Sequence, residues 1–499
     1  MNRRSFLQRG ALAGGALFLG PLHALGARAA AGQPPASSPG YGPLVLKGDL
    51  WLPAEFNYQV ISRQGKPMSN GEPTPGIFDG MGALPGPAGT TILIRNHENR
   101  ERAGEIKVTT GPPFEYDPAM FGGNTKLEVS RTKIGRDPLT GEPLYEYEVV
   151  RDFAILGGTS TNCAGGIRSP HQWLTCEEVV KGPLGNPAAG TFAPRKHGYL
   201  FEIDSHADGP VAAIPVPQAG RLAHEAALEH GGVIYLTEDR SKSADTLRGQ
   251  IGAAFYRYTP TPRGGGVPLH VTSGPLEALA IRGEANKDMD LTTVLGFPYP
   301  VEWVPIPEPD HDDDTDNRRD RVPGFTPTRV QAADAGAAIF SREEGMWSGP
   351  GSAINGAKVY FDCTTGGRAR LGQLWEYDPG RETLTLIYES TNVATLENPD
   401  NVVIVPKTGD IFLQEDGPGE QFVRGVTREG EIYNFCKSQT NSSEFCGGCF
   451  DPDGQTFYIN QQGQRLLAAP GDPPPDPNRV AVTYAIYGPF EKRQGNRNR

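Results

Sequence analysis

Short runs of alternating apolar and polar residues recur along this chain, and several of them end in acidic residues. Residues 173–178 (WLTCEE) are followed by a second alternating run, HGYLFEID, at 197–204. The same pairing recurs at 235–240 with 253–260, at 359–367 with 372–379, and at 411–417 with 430–435. Period-two alternation with aromatic residues and intervening turn residues is typical of β-strands. The pattern therefore predicts a repeated β-hairpin whose first strand ends in polar or acidic residues.

A further short segment precedes each of these hairpins. The segments begin at Asn162 (NCAGG), His224 (HEAA), Arg342 (REEGMW) and Asn398 (NPDN). Residues 445–462 form a fifth copy, and NHE at the end of the apolar run TILIR marks a sixth. Repeats of three or four short strands with aromatic marks are typical of a β-propeller. We therefore expect an all-β fold, a six-bladed β-propeller with loop and small helical insertions.

The start of the chain predicts an export signal. It is basic, an apolar stretch follows, and small residues surround positions 27–31. The run RRSFL from position 3 resembles a twin-arginine signal, and a general secretory leader with two arginines is the alternative. We expect residues 1–31 to be a twin-arginine signal peptide, 32–490 a single propeller domain and 491–499 a disordered tail. The mature protein would be periplasmic or extracellular, with the twin-arginine export machinery as a partner and no integral membrane segment.

The charge of the chain narrows the class of partner. It holds 47 Lys and Arg against 59 Asp and Glu, a formal net charge of −12. Loss of residues 1–31 takes away four arginines and no acidic residue, so it leaves −16. A surface this acidic repels nucleic acid and anionic membranes. The excess of acids fits either a solvated acidic face or carboxylates gathered around bound cations.

Propeller geometry brings equivalent positions of different blades together, because the innermost strands all run in one direction along the central channel. The acidic strand ends are therefore expected to meet in one axial funnel. The side chains concerned are Cys176, Glu177, Glu178, Glu225, Glu238, Asp239, Glu344, Asp400, Glu415 and Asp416. So many carboxylates would repel each other strongly unless cations neutralised them. Carboxylates suit hard cations and a thiolate suits a transition metal, so the sequence predicts a mixed metal site.

Other candidate ligands carry weaker signals. Cys163 and Cys363 fit small buried residues as well as they fit ligands. His97 and His224 fit structural histidines as well as groups that touch a cofactor or substrate. The CGGC run at 446–449 favours a disulfide or two buried thiols over a metal site.

Arg342 stands in the segment SREEGMW, two residues before Glu344 and on the same strand face. A guanidinium beside bound cations is placed to hold a phosphate or sulfate through two hydrogen bonds. A salt bridge within the acidic funnel is the alternative.

Together these motifs resemble the PhoX-type alkaline phosphatase family. The resemblance rests on the leader, LPAEFNYQVISRQGKPMSNG with FDGMGAL, LIRNHE, NCAGG with WLTCEE, HEAA with YLTED, SREEGMW, PDNVVIVP with IFLQEDG, and EFCGGCFDPDGQTFYINQQ. The motifs occur in family order between about residues 41 and 490. The chain departs from the common pattern at RSPHQ (168–172), at Glu343 and at Cys446.

Membership in this family would imply a β-propeller that carries ferric iron and calcium and hydrolyses phosphate esters outside the cytoplasm. Matched motif by motif, it implies that Cys176 is the thiolate ligand of iron and that Arg342 contacts the substrate phosphate as the catalytic residue. The implied carboxylate ligands are Glu178, Glu225, Glu238, Asp239, Glu344, Glu415 and Asp416, and their division between iron and calcium stays open. The expected reaction is metal-assisted hydrolysis of phosphate monoesters, with diesters as a further option.

Two other functions fit a propeller of this kind. A calcium-dependent lactonase or esterase would also place carboxylates on the axis, but it would need neither Cys176 nor a phosphate-binding Arg342. A non-catalytic propeller that binds an extracellular partner would keep the structural effect of its cations when the funnel acids are replaced. We expect a monomeric phosphatase that acts on small-molecule phosphate esters and binds no nucleic acid.

Overall fold

The computed structural model describes residues 40–168, 171–245, 249–264, 266–291, 294–313, 326–349, 357–427, 430–466 and 474–493. The predicted signal peptide, positions 494–499 of the predicted tail and part of the acidic insertion at 308–324 lie outside these residues.

The regular secondary structure of the described residues is mainly β-strand. The first fourteen are β1 (Leu44–Lys47), β2 (Leu50–Pro53), β3 (Asn57–Arg63), β4 (Phe78–Pro85), β5 (Thr91–His97), β6 (Gly122–Arg136), β7 (Pro143–Thr159), β8 (Asn162–Arg168), β9 (Gln172–Glu177), β10 (Leu200–Asp204), β11 (His224–His230), β12 (Val233–Glu238), β13 (Ser243–Asp245) and β14 (Gly249–Ile251).

The second half continues the same pattern of short strands. Its strands are β15 (Tyr256–Tyr258), β16 (Leu276–Ile281), β17 (Pro298–Pro305), β18 (Glu343–Gly349), β19 (Lys358–Cys363), β20 (Gln373–Asp378), β21 (Thr383–Glu389), β22 (Pro399–Ile404), β23 (Ile411–Glu415), β24 (Phe422–Val426), β25 (Ile432–Ser438), β26 (Phe445–Phe450), β27 (Thr456–Gln461) and β28 (Val482–Tyr487). Helical structure is limited, within the described residues, to α1 (Thr328–Asp334) and the 3-10 turns Pro87–Gly89, Pro187–Ala189, Pro217–Ala219 and Leu269–Val271.

Strands that follow one another in the chain pair antiparallel. The successive groups are β4 to β7, β8 to β10, β11 with β12 and β15 to β17, β18 to β21, β22 to β25, and β26 to β28 with β3. In the last group β3, from the start of the described chain, pairs with β28, from its end. Strands from the two ends of the domain therefore close the fold together.

The first strands of these groups form a closed ring around the axis. β4 packs on β8, β8 on β11, β11 on β18, β18 on β22, β22 on β26 and β26 back on β4. This arrangement confirms the expected all-β propeller. Strand β17 pairs with both β16 and β21, which merges two groups into one nine-stranded sheet, so the count of six blades stays a prediction.

Apolar side chains fill the space between neighbouring sheets. Phe412 of β23, Phe435 of β25 and Phe457 of β27 are fully buried in one cluster, and the rings of Phe412 and Phe435 stack with centroids 4.5 Å apart. Phe255 and Phe361 stack in the same way on the other side of the molecule, 4.6 Å apart. Large buried aromatic residues contribute most of the apolar area of a core, so these clusters hold the sheets in fixed positions around the axis.

In each group, the pairing of the first strand with the second strand shifts its register at an equivalent position. The breaks fall between Phe78 and Met81, Asn162 and Gly165, His224 and Ala227, Glu343 and Met346, Pro399 and Asn401, and Cys446 and Cys449. A β-bulge of this kind re-aims the side chains inside it and bends the strand. Six bulges at equivalent positions therefore turn six short segments toward the axis.

Small residues within these segments allow the close packing of the ring. A Cβ at Gly80 would lie 2.6 Å from the Cα of Ala164, and a Cβ at Gly345 would lie 2.6 Å from the Cα of Asn401. Both separations are too short for real side chains, so neighbouring first strands meet backbone to backbone. This explains the recurring pattern of an acid or cysteine followed by glycine or alanine.

Candidate metal centre

Each bulge contributes one residue to a set that we call the bulge residues, and five of the six carry a side chain. They are Asp79, Cys163, Glu225, Glu344, Asp400 and Gly447. Four acids and a thiol thus come from five different strands. Apart from the glycine, all have buried side chains, with exposed fractions of 7% or less.

A second set, the rim residues, directly follows the second strand of each group: Glu98, Glu178, Asp239, Thr364, Asp416 and Gln462. Five of them donate the backbone N–H to the carbonyl of the residue two places before a bulge residue, and Gln462 donates to the carbonyl of Glu444, three places before Gly447. The N···O distances of these six hydrogen bonds are 2.9 to 3.2 Å. The equivalent acceptors in the other groups are residues 77, 161, 223, 342 and 398. One repeated hydrogen bond therefore sets each rim residue beside a bulge.

The carboxyl and thiol groups of the two sets converge on one place, which we call the acid cluster. Ligand atoms of Cys163, Glu178 and Glu225 lie within 4.8 Å of one another, and so do those of Asp79, Glu98 and Cys163. A third triad joins Asp79 to Glu444 and Cys446. Because Cys163 and Asp79 each belong to two triads, the three groups form one continuous site.

Burial and mutual repulsion disfavour negative charge in the acid cluster. Burial raises the pKa of Asp79 to about 6 and, with Asp239 nearby, raises the pKa of Glu178 to about 8 despite the neighbouring Arg100. The pKa values of Glu225 and Asp400 are raised well above the ordinary range, first by burial and then by neighbouring carboxylates. One oxygen of Glu225 is buried without a hydrogen-bond partner among the described residues. Bound cations would remove both the repulsion and the unsatisfied oxygen.

Arg342 stands at the edge of the acid cluster in a left-handed backbone conformation, with φ 55°. Its Nε donates to Asp239 Oδ1 at 2.9 Å and its Nη2 lies 2.6 Å from Glu344 Oε1. A non-glycine residue in this conformation costs about 1–3 kcal/mol and clusters at functional sites. The strained turn and the two carboxylates hold the guanidinium facing the cluster.

A model of one protein family matches this chain over residues 40–464, under the description alkaline phosphatase PhoX. The chain belongs to the PhoX family. It is therefore a phosphoric ester hydrolase, and membership carries metal dependence with it, which fits the donor groups of the acid cluster. The resemblance inferred from the sequence motifs is confirmed.

This PhoX-family chain is similar in fold to a solved structure. It is similar to Pseudomonas fluorescens PhoX in complex with vanadate, a transition state analogue, with TM-score 0.60 and 17% identity over 90% of this chain and 98% of that one. A gluconolactonase from Xanthomonas campestris matches with TM-score 0.37 and 10% identity over 89% and 99% of the two chains. A comparison with curated protein sequences gives no match. Among the described residues, no helix has the length and apolar character needed to cross a membrane.

Five of the predicted carboxylate ligands lie in or beside the acid cluster. Glu225 and Glu344 are bulge residues, and Glu178, Asp239 and Asp416 are rim residues. Burial, and then the Asp416 carboxylate, raise the pKa values of Asp400 and Glu444. The expected convergence of these positions on the axis is what the structure shows.

Glu238 and Glu415 lie apart from these five. Each is the last residue of its strand, one position before a rim residue, so its side chain points to the opposite side. Glu238 accepts hydrogen bonds from Tyr256 Oη at 2.9 Å and from the backbone of Ala254. Glu415 forms a buried ion pair with Arg424, 2.8 Å from its Nε. Both carboxylates are engaged inside their own sheets.

Cys176 is also outside the acid cluster. It lies in the regular part of β9, opposite Leu200, within an apolar cluster that includes Leu174, Leu222 and Ala227. The thiols that reach the carboxylates are Cys163 and Cys446. In the sequence, Cys163 fits a small buried residue as well as it fits a ligand.

Three further acids of the site were not predicted from the sequence: Asp79, Glu98 and Glu444. Asp79 stands in FDGMGAL and Glu98 in NHE, so both are in motifs that carried the family resemblance. The signal that finds Asp79 is the bulge pattern, an acid or cysteine followed by a small residue at the start of a first strand.

The two histidines have structural roles. His97 is fully buried between the Gly76 carbonyl and Thr125 Oγ1, each 2.9 Å from a ring nitrogen. His224 Nε2 lies 2.9 Å from the Gly220 carbonyl, and burial lowers its pKa to about 4. Cys446 and Cys449 are both free buried thiols, and only Cys446 lies beside the acid cluster.

Proposed function

We propose that this protein is an exported phosphatase that hydrolyses phosphate monoesters at a cluster of iron and calcium ions held by the bulge and rim residues. The observation that carries the proposal is the acid cluster itself. Buried carboxylates and two thiols from several sheets lie within ligand distance of one another, and a guanidinium stands at their edge. Phosphate esters need such a combination, because charge on the phosphoryl oxygens must be neutralised.

The donor atoms fit this pair of metals. Carboxylate oxygens of Asp79, Glu178 and Glu225 suit calcium and ferric iron, and the Cys163 thiolate adds the preference for iron. We assign the thiolate to Cys163 instead of Cys176, because Cys163 lies within ligand distance of carboxylates in two triads, whereas Cys176 packs in an apolar cluster. When bound, the ions would act as Lewis acids that draw charge from the phosphate oxygens.

The chain itself binds and orients the substrate through Arg342. Its Nη1 has no hydrogen-bond partner among the described residues, so it can donate to a phosphoryl oxygen. Asp239 holds the other edge of the guanidinium through two hydrogen bonds of 2.9 and 3.3 Å, which fixes its direction. A guanidinium oriented in this way stabilises negative charge as it shifts between the oxygens of the reacting phosphoryl group.

Two pockets give access to the acid cluster. One, of about 410 Å³, is lined by Glu98, Arg100 and Gln462 among others, and the second, of about 380 Å³, by Asp239 and Arg342 among others. Either volume accepts a small phosphate ester. Export by the twin-arginine route to the periplasm or the medium, with the mature chain acting as a monomer, completes the proposal and rests on the sequence of the leader.

The test is elemental analysis and phosphatase assay of protein purified from an exporting host, for wild type and Glu225→Gln. We expect iron and calcium in the wild type together with p-nitrophenyl phosphate hydrolysis, and loss of both metal and activity in the variant. Asp334→Asn, a change at the end of α1, serves as the matched control. Wild-type protein that binds calcium but no iron, or that hydrolyses lactones and not phosphate esters, would contradict the proposal.

A further inference from the structure

We propose that Arg100 is a second phosphate-binding guanidinium, placed across the acid cluster from Arg342, and that the pair makes the site select phosphate monoesters over diesters. The inference rests on the proposed function, because it concerns the substrate of the same site. It adds a specificity-determining residue that lies in a loop, two positions after the rim residue Glu98.

A row of charged groups crosses the mouth of the acid cluster. Arg100 Nη2 pairs with Glu98 and lies 3.1 Å from Glu178 Oε2. The carboxyl groups of Glu178 and Asp239 are within hydrogen-bonding reach of each other, and Asp239 in turn binds Arg342. The two guanidiniums therefore stand at the two ends of the same pair of rim carboxylates.

Both arginines keep donors that no described residue uses. The protein partners of the Arg100 side chain are all on Nη2, which leaves Nε and Nη1 with none in the described part of the chain. Arg342 likewise keeps Nη1. The side chains are 42% and 28% exposed, so each is anchored at one edge and open at the other.

The two pockets lie along this row of charges. Arg100 lines the pocket of about 410 Å³ and Arg342 lines the pocket of about 380 Å³. A phosphoryl group bound over Glu178 and Asp239, with cations beneath it, would have one guanidinium on each side. Its ester group would leave through one of the pockets.

The chemistry of the two substrate classes explains the selectivity. A monoester offers three non-bridging oxygens and nearly two negative charges near neutral pH, whereas a diester offers two such oxygens and one charge. Within the described part of the chain, each guanidinium keeps Nη1 free to donate to a phosphoryl oxygen. Two guanidiniums and the cations together can satisfy three oxygens, and a diester would place its second ester group against one of the arginines. Arg100 should therefore favour the monoester specifically.

The experiment compares Arg100→Gln with the wild type on p-nitrophenyl phosphate and bis(p-nitrophenyl) phosphate, with metal content measured for each protein. In Arg100→Gln, the ratio of kcat/KM for the monoester to kcat/KM for the diester should fall on the order of 10- to 100-fold, since a charge-assisted hydrogen bond contributes roughly that factor. The inhibition constant of inorganic phosphate should rise by a similar factor. Arg100→Lys, which keeps the charge, should retain part of the preference. Arg102→Gln, at an exposed residue that lines the same pocket, should leave the ratio within about twofold.

The outcomes separate the two proposals. In Arg100→Gln and Arg100→Lys, kcat/KM could fall equally for the monoester and the diester, with loss of metal. This result would overturn the proposal that Arg100 binds phosphate, because Arg100 would then only hold Glu98 and Glu178 in place. An unchanged ratio and an unchanged phosphate inhibition constant would also overturn it. A wild-type enzyme that hydrolyses neither ester would instead overturn the proposed function.

Discussion

Cys163 and Cys176 lie on the paired strands β8 and β9, yet their surroundings have little in common. Cys163 is inside a bulge and faces Asp79, Glu178 and Glu225, whereas Cys176 is in the regular part of its strand among apolar residues. Both thiols are buried and burial raises both pKa values, with four carboxylates adding to the effect at Cys163 and two, Glu225 and Glu177, at Cys176. The difference teaches that the break in strand register, and not the acidic neighbours in the sequence, decides which thiol reaches the axis.

The adjacent pair Glu177 and Glu178 shows the same contrast one position apart. Glu177 ends β9 and accepts hydrogen bonds from His197 Nδ1 at 2.6 Å and from the backbone of Gly198 at 2.8 Å. Glu178 follows the strand and enters the acid cluster. Alternation along the strand sends the first carboxylate into the sheet and the second to the site.

The largest expected effect distinguishes the two cysteines. Cys163→Ser should lose iron and lower phosphatase activity by at least about 100-fold, because even the outer hydrogen-bonding partners of metal ligands contribute about 10- to 100-fold. Cys176→Ser should keep its iron and most of its activity, and lose stability because a hydroxyl replaces a thiol in an apolar cluster. For each variant, iron analysis measures the metal content and the kcat of the folded protein measures the activity. Iron lost from Cys176→Ser alone would reverse the assignment.

The second expected effect separates the adjacent glutamates. Glu178→Gln should lower kcat/KM by about 100-fold with little change in the free energy of unfolding, because its carboxylate faces the site. Glu177→Gln should lower the free energy of unfolding by about 1–3 kcal/mol, because a buried acceptor for His197 and three backbone N–H groups is weakened. Denaturant unfolding and steady-state kinetics on both variants give the comparison. If the two variants had equal effects on kcat/KM and on the free energy of unfolding, the prediction would be contradicted.

The sequence predicted much of the fold because it depends on local patterns. Alternating runs and their repetition give the strands, and propeller geometry then brings strand ends such as Glu178 and Asp239 to the axis. The same alternation, applied strictly, also separates Glu238 from Asp239 and Glu415 from Asp416. Treating both members of each pair as ligands ignored the period of two.

The rest of the site depends on tertiary structure that no local pattern contains. A bulge exists only relative to a partner strand, so the direction of Cys163 follows from pairing between β8 and β9. Arg100 reaches the site from a loop through a contact with Glu178, which is distant in the sequence. Glu444 comes from the turn before β26 and joins Asp79 near the start of the domain. Such contacts appear only when the ring closes.

A smaller effect tests the buried ion pair between Glu415 of β23 and Arg424 of β24. Glu415→Gln should lower the free energy of unfolding by about 2 kcal/mol, because the Arg424 guanidinium loses its buried counter-charge. Asp416→Asn, one residue on, should have less effect on the metal-free protein and should weaken cation binding. Chemical denaturation with and without added calcium tests both variants. The contrast would fail if Glu415→Gln lost calcium while keeping its stability.

The smallest effect is the pH dependence of the metal-free protein. Glu178, with a pKa raised from 4.5 to about 8, keeps its proton in the folded state over a range where the unfolded chain has lost it. The folded state then binds more protons than the unfolded state, so stability is complete below about pH 4.5 and falls as pH rises toward 8. The denaturation midpoint of chelator-treated protein between these pH values should show this fall. Glu178→Gln should reduce the slope, and reloading with iron and calcium should reverse it, because bound cations favour the ionised carboxylates. A midpoint that rises with pH in the metal-free wild type would mean that the acid cluster is not under electrostatic strain, and that its carboxylates are neutralised by groups of the chain itself.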